Sequence, residues 1–416
     1  MVVGSEEDSS IKTMGILRGF NRHNLKVRDQ SNKDGSGKNV KGSAGAFWSA
    51  SRCAIDTVDQ VYVGIDNAVY HVAGADEVIR NTGQGESFVL GKDDVVLPVE
   101  SPRPLELVPL QAFAHRFEVQ SVTLWDSSGR DSQSQFVASV DSTGSLCVCE
   151  YRSGVGADKS NVCPERSYQA LPASCSAMEV GWSGVALGQH QPTLAVVARH
   201  FRKDLNVFDG DMLVRSISTL QNPTAIRMME ENVYLVGEGN KLGVYDLRVS
   251  EKQGCVQCNV LNDVVTSLAT QQHSFMRVAS GVGRSAILWD IRKWNILQRF
   301  SGMRQEVCGL EFLKDSGRRG PPLLCVATIN GEVNVIGMHT QKRQKGTKDK
   351  QKLKSLSSLR GDSRWIGLGL AQPQYSAKEG GEGIGGDGGG GEEDSQLMNK
   401  CIGFGISGGL YSFALS

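Results

Sequence analysis

The sequence has no apolar run long enough to cross a bilayer, which argues against a membrane-spanning helix as its organising element. No basic stretch followed by an apolar one opens it, so no secretory leader is expected. Charge of one sign is also missing. Forty-five basic residues balance 45 acidic ones, so no global field points to a nucleic acid or a membrane surface. Histidine is sparse, at seven, and no HExxH occurs. The glycine runs contain no GxxxxGK(S/T), so they form no phosphate cradle. Aromatics make up only 6% of the residues, whereas glycine reaches 49, a balance that suits many short strands and turns. The ten cysteines are scattered, as expected of reduced thiols in a cytoplasmic or nuclear protein.

What the chain does contain is clearest from Val278 to Arg292, VASGVGRSAILWDIR. A short apolar run meets a reversal with Gly281 and Gly283, which tolerate the positive φ of a tight hairpin. A second apolar run then ends in Trp289-Asp290. Weaker copies recur in both directions. Aligned on Trp289, they place Val72, Cys149, Phe208, Tyr245, Ile336 and Phe413 at the same position.

This hairpin ending in Trp-Asp resembles the WD-repeat family of β-propellers, whose period is roughly 40–45 residues. The resemblance implies an all-β, seven-bladed β-propeller over 46–416, with insertions at 74–110, 338–361 and 372–398. Residues 1–45 read as a mostly flexible leader. Because the last copy ends on a third strand, a segment within 14–29 is expected to close the ring. Two low-complexity loops are expected to project from the propeller. The basic one (342–354) is open to three readings: a solvated loop, a nuclear-import signal or a nucleic-acid contact. The lack of aromatics among its lysines weakens the last of these. The acidic, glycine-rich one (379–394) cannot bury enough apolar surface to fold alone.

Candidate chemistry is scarce. Cys255 and Cys258 sit three apart in an expected outer strand, where they point to opposite faces, and no second pair follows at zinc spacing. Cys147 and Cys149 read as packing residues. Asp141, in the turn SVDSTGS, reads as a structural turn aspartate, with no carboxylate or histidine to place beside it. No catalytic residue, metal ligand or cofactor is therefore expected, and a propeller enzyme is the disfavoured alternative.

A rigid propeller offers surface, so the expected function is a non-enzymatic scaffold or adaptor whose partners are other proteins. Two surfaces are candidates. One is the basic, aromatic-bearing turn Arg199, His200, Phe201, Arg202 and Lys203, with Arg284 on the same face. Arginine and aromatic residues are enriched at interface hot spots. The other is the pair Arg248 and Arg292, each two residues after the aspartate of its repeat. This resembles the box by which some WD-repeat proteins dock on the adaptor of cullin-4 ubiquitin ligases, and implies a substrate-receptor role as the alternative. The acid expected upstream is replaced by Asn240 and Arg284. Pairing of these arginines with their own aspartates is the competing explanation.

Overall fold

A computed structural model of the chain describes residues 16–27, 49–55, 60–82, 87–89, 95–125, 134–152, 166–172, 180–188, 190–250, 254–271, 277–313, 323–337, 358–371 and 399–415. The basic loop 342–354, the acidic loop 379–394 and most of the leader lie outside them.

The described chain is built from strands, with one short helix. In order come β1 (Ile16–Val27), β2 (Cys53–Ile55), β3 (Val61–Ile65), β4 (Ala68–Ala73) and α1 (Ala75–Asn81). The 74–110 insertion then continues through β5 (Ser87–Val89), β6 (Val95–Val96) and β7 (Val99–Glu100) into β8 (Leu105–Ala114). Next are β9–β12 (Val119–Trp125, Ser134–Asp141, Leu146–Arg152, Arg166–Ala170) and β13–β16 (Ser183–Leu187, Leu194–Arg199, Asp204–Asp209, Met212–Ser218). They are followed by β17–β20 (Pro223–Glu230, Val233–Glu238, Lys241–Asp246, Cys255–Val260) and β21–β24 (Val265–Gln271, Arg277–Val282, Ser285–Asp290, Asn295–Ser301). The last are β25–β28 (Val307–Phe312, Leu323–Thr328, Glu332–Gly337, Ser358–Arg360) and β29–β31 (Trp365–Ala371, Asn399–Gly405, Gly409–Leu415).

Strands β9 to β24 form four antiparallel four-stranded sheets, each made of consecutive strands. β25–β28 form a fifth, to which β6 adds in parallel. The arrangement is propeller-like, but the expected seven separate blades do not form. The strands at the two ends belong to one ten-stranded sheet, in the order β2-β3-β4-β8-β1-β31-β30-β29 with β5 and β7 on β1. The cause is β1. It lies antiparallel to β31 over Leu17–Asn24 and parallel to β8 over Leu25–Val27. The two outer strands of the sheet meet again at the isolated bridge Ser51↔Gly367, so the sheet is nearly closed on itself. The described residues thus form five blades and one nearly closed ten-stranded sheet.

Patterning explains each position in a blade. Second strands are buried on both faces: VYLVGE of β18 has no exposed residue. Outer strands alternate, as in CVQCNV of β20, where every second residue is exposed. Turns between second and third strands need a left-handed residue, supplied for instance by Gly144 (φ 88°) and Gly283 (φ 52°). A recurring second-strand glycine admits the next blade. A Cβ on Gly237 would lie 2.7 Å from Val265, and one on Gly281 would lie 2.6 Å from Val307. The Trp289 equivalents all fall on strands, from Val72 in β4 to Phe413 in β31, and all are buried.

Candidate functional site: an anchored aromatic on one rim

Strands alternate in direction within each blade. The second-to-third turns and the connections between blades therefore open on one rim, and the remaining turns open on the other. The β14–β15 turn belongs to the first rim, and its five residues play unequal parts.

Arg199 is buried, at 6% exposure. Its Nε donates to Asp204 Oδ1 at 2.8 Å, and its Nη2 pairs with the other carboxylate oxygen. Its stem covers Gly144 of the preceding blade, where a Cβ would come within 2.3 Å of the arginine Cδ. The side chain braces two blades. His200 is anchored from three directions. Its Nδ1 donates to the Pro223 carbonyl (2.7 Å), its amide donates to Trp182 O (3.0 Å), and its carbonyl accepts from Asn222 Nδ2 (2.9 Å).

Phe201 is 53% exposed, yet it is seated. Its ring lies on Gly181, where a Cβ would intrude to 2.3 Å, and it stands edge-on to His200 with centroids 5.4 Å apart. Arg202 and Lys203 are exposed beside it. Lys203 holds a left-handed conformation (φ 54°), and its carbonyl accepts from Thr219 N. Two exposed apolar residues flank these contacts in the chain: Val180 (38% exposed) precedes Gly181, and Leu220 (49%) follows Thr219. The result is an aromatic held in place among smaller apolar groups and cations.

The other predicted residues lie elsewhere. Arg284 is exposed in the β22–β23 turn of the same rim, but two blades along. Arg248 and Arg292 are exposed on the opposite rim, after the third strands of adjacent blades. Arg248 folds back on Asp246, with Nε to Oδ1 at 2.8 Å and Nη2 to Oδ2 at 2.6 Å. That hydrogen bond from Arg248 holds the Asp246 carboxyl below its usual range against a smaller effect of burial. At Arg292 the backbone amide donates to Asp290 Oδ1 at 3.0 Å.

One buried cluster resembles a hydrolytic triad. Ser139 Oγ lies 2.7 Å from His115 Nε2, and His115 Nδ1 lies 3.6 Å from Asp141 Oδ2. This corrects the expectation that Asp141 has no histidine beside it. His115 comes from the connection entering β9, which the pattern of strands alone does not bring near the turn. Burial would push the Asp141 carboxyl up, but the neighbouring His115 ring and the hydrogen bonds that Thr143 donates to Oδ1 outweigh it and hold the group low. Ser139 and Asp141 have no exposed surface and His115 has 3%, so no substrate reaches the serine. The cluster ties a turn to its neighbouring loop.

No protein-family model matches the chain, and no curated protein matches it in sequence. Among solved structures it is similar to the crystal structure of Chaetomium thermophilum Raptor, with a TM-score of 0.56 and 12% identity over 96% of this chain. The matched part is 30% of that chain. The likeness is one of fold. It is also a widely shared fold, matched by 1256 solved chains, so function has to be argued from sites.

The central channel offers little room. The first strands line a cavity of about 20 Å³, space for roughly one water molecule. Arg227 reaches across it to Glu311, with Nη2 3.2 Å from Oε1, and also donates to Leu268 O. Burial pushes the Glu311 carboxyl up, and Arg227 opposes this only in part. Among the described residues no group of three or more His, Cys, Asp or Glu could hold a metal ion, and no helix is long and apolar enough to cross a membrane.

Proposed function

We propose that the protein is a non-enzymatic interaction scaffold that docks other proteins on the rim around Phe201. The observation that carries this reading is the pairing of exposure with immobility at Phe201. An aromatic already fixed by Gly181 and His200 loses little conformational freedom on binding, which is how rigid anchors gain affinity. Arg202 and Lys203 supply charge at its edge. The sealed state of Ser139, His115 and Asp141 supports a non-catalytic role.

The test is affinity purification of the wild type beside Phe201→Ala. Loss of the same partner proteins from the variant is expected, with a weakening of about 2 kcal/mol for a purified partner, as for interface hot spots. An unchanged partner set and affinity would refute the rim as the docking surface. A second reading, receptor for a cullin-4 ligase adaptor, is favoured by the exposure of Arg248 and Arg292 on neighbouring blades. It requires the adaptor among the recovered proteins and its loss in an Arg248→Ala, Arg292→Ala variant. An adaptor missing from the wild-type sample removes this reading.

A further inference from the structure

Among the described residues, four blades end in an outer strand with no neighbour on its free side: β12, β16, β20 and β24. Such a strand carries unpaired backbone donors and acceptors and is a template for another chain. Proteins usually blunt it with charge. Arg166 lies in β12 and Arg299 in β24, both exposed, while Arg215 of β16 is half-buried and donates to Leu247 O and Val249 O of the next blade. The strand β20, CVQCNV, has no charged residue and no proline. Its exposed side chains are Val256 (47%), Cys258 and Val260 (68%), so its outward face is apolar along its length.

The same molecule shows what such edges accept. The outer strand of the fifth blade, β28, is covered by Val95–Val96 of the insertion, which pairs with Ser358–Leu359. β1 is covered on its second edge by Ser87–Val89 and by Val99–Glu100. These are short extended pieces rich in valine, and one carries an acid. Glu100 is in register with Arg22 and places its carboxylate 3.3 Å from the Arg22 guanidinium. At β20 the cation lies one strand further in: Lys241 of β19 is in register with Val260, and its long side chain would have to reach past β20 to an added strand.

We propose that the β20 edge binds an extended, β-branched segment of a partner protein, which adds as a fifth strand and sets an acidic residue toward Lys241. Backbone hydrogen bonds supply the affinity, and the Val256, Cys258 and Val260 face selects alternate apolar side chains. The site is separate from the Phe201 rim, so either can fail without the other.

A fluorescein-labelled peptide, Thr-Val-Thr-Val-Thr-Glu, is titrated into the full-length protein while anisotropy is read, and hydrogen exchange is followed on the unlabelled complex. Saturable binding is expected, with new protection confined to the amides of 255–260. Val256→Lys with Val260→Lys places gatekeeper charges on exposed positions. It should weaken binding at least about tenfold, or roughly 1.4 kcal/mol, whereas Phe201→Ala leaves it unchanged. The proposal is overturned by absence of binding, by protection elsewhere, or by equal affinity in the lysine variant. Sedimentation that shows the wild type self-associating through the same strand also overturns it, because the edge is then filled by a second copy. The exchange footprint on the wild type decides the question even where the lysine variant does not fold.

Discussion

Phe20 tests whether β1 is an integral part of the ten-stranded sheet. The side chain is 4% exposed and packs in one cluster with Leu17, Trp365, Tyr411 and Phe413. Its ring meets Phe413 edge-on at 5.9 Å and Tyr411 at 6.0 Å. Phe20→Ala removes both ring contacts, each worth about 0.5–1.5 kcal/mol beyond area burial. It also opens a cavity that cannot collapse readily, because β1 is held by β31 on one edge and by β5 and β7 on the other. Phenylalanine-to-alanine changes in cores cost about 3–5 kcal/mol, and a value in that range is expected here. Urea unfolding followed by tryptophan fluorescence reads it directly, since Trp365 lies 4.6 Å from Tyr411 in the same cluster. Leu297→Ala is the control. That residue is 60% exposed on β24, and its loss should stay within about 0.5 kcal/mol. A Phe20→Ala effect below about 1 kcal/mol, no larger than a typical substitution, would show that β1 frays before the rest unfolds.

Two further outcomes are expected. Gly144→Ala forces a side chain into a left-handed turn (φ 88°) and against the Arg199 stem. A loss of at least about 1–2 kcal/mol is expected in thermal unfolding, and an unchanged transition would mean that Arg199 moves aside freely. His71 is 6% exposed, and burial lowers its pKa to about 4 from 6.5, with Asp76 opposing weakly. The unfolded chain therefore binds the proton first, so stability is lost as pH falls from 6.5 towards 4, by at most about 3 kcal/mol. His71→Gln should flatten that part of a stability–pH curve, and an equal slope in both proteins would refute the assignment.

The repeating hairpins were legible because each carries its own signal. The apolar run, the turn glycine and a large residue at the Trp289 position suffice to place strands such as β18, β19, β22 and β23. Asp141 was readable as a turn residue, but His115 was not, since the contact spans a connection between sheets. The blade count failed for a related reason. Nothing local in Leu25–Val27 announces pairing with Leu105–Leu107, and two- or three-residue strands such as β5, β6 and β7 have no periodicity to detect. The helix α1 did leave a trace. Ala75 and Ile79 are buried four apart, with Asp76 and Glu77 in the first turn and Arg80 in the last. Of the basic turn, its composition was visible from sequence. The division of labour, with Arg199 inward and Phe201 outward, depends on Gly144 of the preceding blade and Gly181 of the connection into β13.

The position of β1 also sets an order of events during synthesis. Its lower end finds β8 after fewer than a hundred residues, but its longest partner, β31, is made nearly 400 residues after it. Until Gly409–Leu415 leaves the ribosome, the edge of Leu17–Asn24 that faces β31 lacks its partner. The five blades are assembled from consecutive strands and can form as they emerge. The ten-stranded sheet cannot. Its completion is therefore a step that joins segments nearly 400 residues apart, and a ribosome stalled before β31 would hold a chain with finished blades and one open strand edge.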